Sequence, residues 1–379
     1  MTTYPMSDDE RALVAQIERF STEVLAPKAA QIDEEALFST LHLDAMADMG
    51  LLGLNLPEDH GGIGLSGPAL YAAVEAIAGA CGSTASMLTA HFLATDSLLL
   101  GADADLQARI LPDAAAGTSL GAFALTEPQA GSNPADMRTT AKREGDGYRI
   151  KGSKCFISNA GAADFMVVYA KTDPAAGARG VSAFIVEPKK IDGVSVAPNE
   201  KTMGLKGGHV FGISFDCWVP DENRLGDEGT GFRTAMKVLD NGRIEVAAQA
   251  TGIADAALKA AISYAKERQV SGHAIADFQG LQWILADSAT ELAAARALAM
   301  QAATLRGTGV RYSSESAFAK LYASEAAWRI ADRALQIHGG YGYTRDFPLE
   351  RYLRDLRIFR IYEGSSEIQR TIIARGLLA

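Results

Sequence analysis

The chain shows two kinds of hydrophobic pattern, and the changes between them divide it into three parts. From residue 7 to about 120, apolar residues recur at steps of three or four, beginning with Leu13 and Ile17 in DDERALVAQIERFSTEVL. This period predicts amphipathic helices. Ser7 and Glu10 have capping-box spacing at the start of the first helix. The Ala- and Leu-rich segments that follow favour close helix–helix packing.

The pattern shortens near residue 121. From there to about 225 the apolar runs are brief and β-rich, as in GAFALTE, DFMVVYAKT, GVSAFIVEP and FGISFDCWVP, with Gly, Pro, Asn and Asp between them. Such runs predict an antiparallel sheet or barrel. Long helical patterns return from about 231 and predict a helical bundle. We therefore expect a mainly α protein with a central antiparallel sheet or barrel, divided at 1–120, 121–230 and 231–379.

Composition and charge narrow the class of protein to which this chain can belong. The chain has 379 residues, of which 48% are hydrophobic and 22% charged, as in globular proteins of two or three domains. The net charge of −10 argues against general nucleic-acid binding, which needs a basic face. Three dispersed cysteines, no basic-apolar leader and no apolar run of about 18 residues predict a cytoplasmic protein without a membrane span.

Familiar nucleotide and metal motifs do not explain this sequence. HExxH, Walker A and GxSxG are absent, and the six histidines do not cluster, so no metal site is expected. GIGLSG at 62–67 matches GxGxxG literally, but it lies in a helical region without a βαβ unit. We interpret it as a glycine-rich loop between helices.

Several segments could carry chemistry, each with a purely structural alternative. FALTEPQAGSNPADM (123–137) is either a polar turn between strands or a loop whose backbone N–H groups face a ligand. Phe156 and Ser158, on one face of a predicted strand, could lie against a flat cofactor or in the core. Arg268 suits a pyrophosphate, but a solvated helix end is the alternative. Gly339-Gly340 is either a helix C-cap or backbone that a cofactor covers.

IYEGSSEIQR (361–370) contains the strongest catalytic candidate. Glu363 follows an apolar pair and precedes Gly364. Apolar neighbours desolvate a carboxylate and raise its pKa toward the range of a general base. A glycine next to it lets a substrate approach the backbone closely.

These segments together resemble the acyl-CoA dehydrogenase family. The resemblance covers essentially the whole chain, from GLLGLNLPEDHGGIG through LTEPQAGS, VPDENRLGDEGTGF, ERQVSGHAIADFQ and QIHGGYGYTRDFPLERYLRD to IYEGSSEIQR. It implies an N-terminal helical domain, a middle antiparallel β-barrel and a C-terminal four-helix bundle. It also implies a homotetrameric FAD oxidoreductase that passes electrons to an electron-transfer flavoprotein, in fatty-acid β-oxidation or branched-chain amino-acid catabolism.

The resemblance carries site residues onto this chain. It implies that FAD is held by Phe123, Leu125, Thr126, Gly131, Ser132, Phe156, Ile157, Ser158, Arg268, Gln279, Gln336, Ile337, His338, Gly339, Gly340, Ser365, Ser366 and Glu367. Arg268 and Gln279 would serve a neighbouring subunit's FAD. It implies that the acyl-CoA substrate contacts Ser132, Asp240, Asn241, Gly242, Arg243 and Gly364.

The resemblance also assigns the base. Some relatives carry it within an LDxER-like run, which here reads LDNGR, so Gly242 occupies that position and Glu363 is the base. Two departures stand out: Phe156 replaces a frequent Trp, and Ser271 replaces a usual Phe. The expected reaction makes a trans-2-enoyl-CoA, and short, medium and branched acyl chains all remain compatible. An O₂-using oxidase or monooxygenase, a desulfinase-like enzyme and a non-catalytic flavin- or CoA-binding scaffold are the alternatives.

Overall fold

The computed structural model describes residues 5–378 as helices, then strands, then helices. The α-helices are α1 Asp8–Phe20, α2 Ala26–Glu34, α3 Leu43–Asp48, α4 Gly67–Ala80, α5 Gly82–Gly101, α6 Ala104–Ala115, α7 Gly231–Glu267, α8 Gln279–Leu305, α9 Ser313–His338, α10 Leu349–Leu356 and α11 Ser366–Leu378. The strands are β1 Gly121–Ala124, β2 Thr140–Glu144, β3 Gly147–Ser158, β4 Phe165–Lys171, β5 Val181–Val186, β6 Val194–Val196, β7 Val210–Pro220, β8 Arg224–Leu225, β9 Gln269–Val270 and β10 His273–Ala274.

Helix starts and loops in the N-terminal part follow the local sequence. The Ser7–Glu10 capping box is present, with the Ser7 hydroxyl and the Glu10 carboxylate each accepting the other's backbone N–H. The segment 43–56 is less regular than its apolar pattern predicts, because left-handed Gly50 separates α3 from a 3₁₀ turn. GIGLSG forms the loop before α4 as predicted, except that its last residue, Gly67, begins that helix. A Cβ at Gly62 would meet the Leu56 carbonyl oxygen at 2.1 Å, so close backbone approach requires this glycine.

The middle strands form one open sheet, and the expected barrel is not found. The hydrogen-bonded order is β6-β7-β3-β2-β4-β5-β8, and β1 joins β4 off this path. The sheet is also mixed, since β1 pairs with β4 in parallel, as does the end of β2. Period-2 patterning identifies strands but does not specify which edges pair or whether the sheet closes.

The strands β4 and β5 are buried on both faces, which explains their continuous apolar runs. Alternate residues of β4 enter different cores: Val167 and Tyr169 pack with residues of α5 and α6, and Met166 and Val168 pack with β3 and β7. A strand buried on both faces has no polar alternation.

The C-terminal helices pack on one another and on the N-terminal ones. α7, α8 and α9 contact each other, α11 adds a further helix against α9, and α4 and α5 pack across α7. A Cβ at Gly252 would lie 2.1 Å from the Glu75 carbonyl oxygen, so glycine permits α4 and α7 to cross closely. This arrangement places α5, α7 and α9 around the segment that joins α10 to α11.

Candidate active site

Glu363 lies on a left-handed turn between α10 and α11. Its φ is +51°, and that of Gly364 is +89°. A non-glycine residue with positive φ is uncommon, and such strain clusters at functional sites. A Cβ at Gly364 would lie 2.7 Å from Gln369 Nε2. The fold itself therefore requires glycine at 364, in addition to the substrate access predicted for it.

The Glu363 carboxylate rests on α7 at Gly242. A Cβ on Gly242 would stand 2.2 Å from Glu363 Oε2 and 2.8 Å from Leu93 Cδ2 on α5. The residue as a whole is partly exposed, but Oε2 itself is buried and has no hydrogen-bond partner among residues 5–378. Gly242 thus lies directly against Glu363, and its missing side chain makes room for the carboxylate.

Burial and two cations set the protonation of this carboxylate. Desolvation raises the pKa of Glu363 to about 7, while Lys320 and Arg243 act in the opposite direction. Lys320 is fully buried on α9, and its Nζ donates to the Gly364 carbonyl oxygen at 2.6 Å. The pKa of Lys320 is itself lowered to about 8 by burial, with Glu363 opposing that shift. Near neutral pH the carboxyl group can therefore exist in both forms, as a general base requires.

The sequence did not indicate Lys320. It lies in a helical pattern, SESAFAKLYASEAA, where a lysine ordinarily points to solvent. The only sequence signal is its position among the small residues Ala317, Ala319 and Ala323, all of which are buried.

The predicted substrate residues Arg243 and Asn241 on α7 have different surroundings. Arg243 Nη1 donates to Asp240 Oδ1 at 2.5 Å, and the buried Arg243 Nε has no partner in the described chain. Asn241 instead faces an internal network, donating to Asp96 Oδ2 at 2.6 Å and accepting from the Tyr312 hydroxyl. Ser132 lies elsewhere, exposed on the loop between β1 and β2.

Two of the predicted flavin segments meet in the structure. The Cys155 N–H donates to the Thr126 carbonyl oxygen at 3.0 Å. A buried ion pair missed from the sequence supports this junction: Lys154 Nζ lies 2.9 Å from both Glu127 Oε1 and the Leu125 carbonyl oxygen. Glu127 also accepts backbone N–H groups at the far end of the turn, and together these bonds and Lys154 lower its pKa to about 2.

The side chains of these two segments differ in how far they are exposed. Phe156 is 67% exposed and has a φ of +56°, at a register shift in the β3–β7 pairing. Ile157 is buried, and Ser158 is partly exposed. The Phe123 ring instead packs on Tyr169, with ring centroids 5.1 Å apart, and Leu125 is buried, so Leu125 can offer a ligand only backbone atoms.

A second group of predicted cofactor residues gathers at the other end of α7. Arg268 lines a groove of about 440 Å³ with Ile337, His338, Gly339 and Gly340. His338 stacks on Tyr264, with ring centroids 4.3 Å apart, and Gly339 ends α9 with a φ of +58°. Gln336 is exposed on the last turn of α9.

The remaining predicted cofactor residues lie near the starts of α8 and α11. Gln279 begins α8 after the β9–β10 hairpin, where Ser271 has a φ of +54°. Ser365 precedes α11 and Ser366 begins it, and the Ser366 hydroxyl donates to Glu325 at 2.7 Å. Glu367 is exposed in its first turn.

These residues fit FAD. A flat ring system suits the exposed Phe156 beside Thr126. An arginine beside two glycines at which an added Cβ meets nothing within 4 Å suits a diphosphate. Over residues 5–378 no cluster of His, Cys, Asp and Glu has metal-binding geometry, and none of the helices is long and apolar enough to cross a bilayer.

A carboxyl group whose pKa is raised to about 7, in a chain that also carries surfaces suited to a dinucleotide, fits a flavin-dependent oxidoreductase. Sequence comparison specifies the family. Profiles of the acyl-CoA dehydrogenase N-terminal, middle and C-terminal domains match residues 7–118, 122–217 and 229–378. The chain belongs to the acyl-CoA dehydrogenase family and is an FAD-dependent oxidoreductase.

Individual relatives are similar along their whole lengths. An acryloyl-CoA reductase (NADH) of Anaerotignum propionicum is 42% identical over 99% of this chain and 96% of its own. A short-chain-specific acyl-CoA dehydrogenase of Clostridium acetobutylicum is 41% identical over 96% of this chain and 97% of its own. A solved structure described as the electron transferring flavoprotein of Acidaminococcus fermentans matches with a TM-score of 0.97, at 40% identity over 100% of both chains.

Proposed function

We propose that this protein converts a saturated acyl-CoA thioester to its trans-2-enoyl-CoA, with Glu363 removing the α-proton. The observation that carries this proposal is the Glu363 carboxylate on its left-handed turn, desolvated against Gly242 and with a pKa raised to about 7. The α C–H of a thioester is a weak acid, so its removal needs a base that is aimed and partly desolvated.

The chain also offers a donor for the developing enolate oxygen. Among the described residues no acceptor takes the Glu363 N–H, which therefore can bind a thioester carbonyl. Lys320 donates to the Gly364 carbonyl oxygen and helps keep this turn in place. When bound, FAD supplies the hydride acceptor for the β-hydrogen.

The cofactor assignment follows the placement of the predicted residues. The Phe123–Ser132 loop and Phe156–Ser158 would contact the flavin side. The 336–340 run would hold the diphosphate or adenosine end, and residues 365–367 would complete the site. Arg268 and Gln279 would hold the FAD of a neighbouring subunit. The junction of the first two segments and the groove at Arg268 support this division.

A substitution that keeps the shape of the Glu363 side chain but removes its charge tests its role as the base. Glu363→Gln should lower the rate of acyl-CoA-driven flavin reduction by several orders of magnitude while the protein remains yellow. Anaerobic titration with short, long and branched saturated acyl-CoAs, monitored by the flavin absorbance, measures this and identifies the preferred chain class. Near-normal reduction by the variant would remove Glu363 from the mechanism.

The reverse reaction is a second candidate. A carboxyl group with a pKa near 7 can return a proton to Cα as readily as it removes one, and one relative is an acryloyl-CoA reductase. Mixing the chemically reduced holoenzyme anaerobically with enoyl-CoAs tests this direction. Rapid flavin reoxidation by an enoyl-CoA, together with poor reduction by every saturated acyl-CoA, would favour the reductase.

We further expect electrons to pass to an electron-transfer flavoprotein in acyl-CoA catabolism in the cytoplasm. The structure described as an electron transferring flavoprotein supports this partner. Turnover should require that flavoprotein or an artificial acceptor. Equal turnover with air alone would indicate an oxidase.

A homotetramer is also part of the proposal. Large apolar side chains at the start of α8 and beyond α9 are exposed in the single chain, including Phe278, Trp283 and Tyr343 at 44%, 62% and 85%. Such patches mark interaction surfaces. Light scattering should give four times the chain mass of 40.0 kDa.

A further inference from the structure

The face of α7 that carries Gly242 becomes polar further along the helix. Glu245 and Gln249 follow Gly242 by three and seven residues, spacings that place all three on one side of a helix. Yet Glu245 and Gln249 are only 2% and 0% exposed. A purely hydrocarbon acyl chain extending from Glu363 along this face would meet buried polar groups, which is unusual for a site that takes alkyl chains.

Each of these side chains leaves one terminal oxygen unused. Glu245 Oε1 accepts from Arg306 Nη1 at 2.8 Å, and Gln249 Nε2 donates to Thr89 Oγ1 at 3.0 Å. Glu245 Oε2 and Gln249 Oε1 are both buried with no hydrogen-bond partner anywhere in residues 5–378. Buried polar atoms are nearly always paired, so two such oxygens on residues one helical turn apart point to a missing partner.

The ion pair with Arg306 does not explain why a second carboxyl group, that of Glu245, is buried here. Arg306 Nη2 already donates to both Asp96 oxygens, at 2.9 and 3.2 Å. Asn55 and Asn241 complete the bonding of Asp96. Glu245 is thus a second carboxyl group on a guanidinium that one carboxylate already balances.

The surplus carboxyl group favours its protonated form. Burial raises the pKa of Glu245, Arg306 opposes the shift, and the charges of Asp96 and Glu363 add to it. The influence of Glu363 also indicates that Glu245 lies near the proposed base. A protonated Glu245 can donate through Oε2, whereas Gln249 Oε1 can only accept.

We propose that Glu245 and Gln249 receive a hydroxyl group at the far end of the acyl chain, so that short ω-hydroxyacyl-CoA thioesters are preferred over alkyl ones of equal size. A hydroxyl group both accepts and donates, and so can pair with both oxygens at once. An alkyl chain leaves them unpaired, which should cost about tenfold to hundredfold in kcat/KM. This inference rests on the proposed dehydrogenase function.

Matched substrates on the unmodified holoenzyme test the proposal. 4-Hydroxybutyryl-CoA and valeryl-CoA differ only by OH against CH₃, as do 5-hydroxyvaleryl-CoA and hexanoyl-CoA. We expect kcat/KM for anaerobic flavin reduction to favour the hydroxyl member of at least one pair by about tenfold or more. Flavin reduction that favours the methyl member of both pairs, or neither member, overturns the hydroxyl assignment and leaves the dehydrogenase intact. No reduction by any of the four overturns the hydroxyl assignment, and the dehydrogenase function is overturned as well only if the long and branched acyl-CoAs also leave the flavin oxidised.

Variants separate recognition from a structural role. Gln249→Met and Glu245→Met should lower the hydroxyl-to-methyl ratio toward one, because each should slow the hydroxyl member far more than the methyl member. Lys259→Met, at an exposed position on the same helix, is the control and should leave the ratio unchanged. If both variants fold and slow the two members of each pair equally, the side chains act only in packing and the proposal is wrong.

Discussion

Gly242 offers the sharpest test of how the base is positioned. Replacing it with alanine adds a single carbon at a point 2.2 Å from Glu363 Oε2 and 2.8 Å from Leu93 Cδ2. Cβ contacts under 3.0 Å essentially do not occur. The carboxylate therefore has to withdraw by roughly 1 Å. Lys320 and Gln369 both bind the Gly364 carbonyl and hold the backbone of this turn, so the Glu363 side chain has to take up the displacement.

This displacement sets the size of the expected effect. Moving a catalytic group by about 1 Å costs on the order of 100-fold in rate. We therefore expect Gly242→Ala to slow single-turnover flavin reduction by about 100-fold with FAD still bound. Alanine also favours a helix over glycine by roughly 0.5–1 kcal/mol, so a general loss of folding is not the expected outcome.

The assay is anaerobic stopped-flow reduction, combined with the FAD-to-protein ratio and thermal unfolding. Lys259→Ala, at an exposed position on α7, is the control and should react normally. In a Glu363→Asp background, whose carboxylate is shorter, the Gly242→Ala penalty should shrink. A Gly242→Ala enzyme within about threefold of the wild-type rate would refute the idea that this contact positions the base.

Other predictions concern the charges around the site. Flavin reduction should rise with pH through about 7, since the base acts only when deprotonated. Lys320→Met removes a cation that lowers the pKa of the base, so this rise should move to higher pH by about one unit or more. Lys320→Arg should restore it, whereas an unmoved profile in the methionine variant would contradict this role. Glu127→Ala strands the buried Lys154 cation and should cost about 3–5 kcal/mol in urea unfolding. Lys190→Ala breaks an exposed ion pair and should lower the free energy of unfolding by less than about 1 kcal/mol. Equal losses in the two variants would show that burial of an ion pair does not matter for stability.

Local patterns predicted much of the secondary structure. The 3.6-residue period located α1, α7, α8 and α9, and brief β-rich runs located β3, β4, β5 and β7. The capping box at Ser7 and the glycine end of α9 at Gly339 were also predictable. These features depend on contacts within one helical turn or one strand, so the sequence contains the required information.

Strand pairing was not predictable in the same way. The barrel expected from the resemblance is an open mixed sheet, with β1 parallel to β4. Pairing joins residues more than 40 positions apart, as at Gly121 and Phe165, and no local period encodes that choice.

The sequence by itself determined the family, the order of helical and β parts, and Glu363 as the candidate base. Only the tertiary structure placed Gly242 under the carboxylate, brought Lys320 to the Gly364 carbonyl, and joined Glu127 to Lys154. It also left Glu245 and Gln249 with unpaired oxygens in the interior. A residue's identity fixes its charge and shape, but its pKa and its partners depend on burial and on neighbours distant in the chain. Those are set when α5, α7 and α9 pack together.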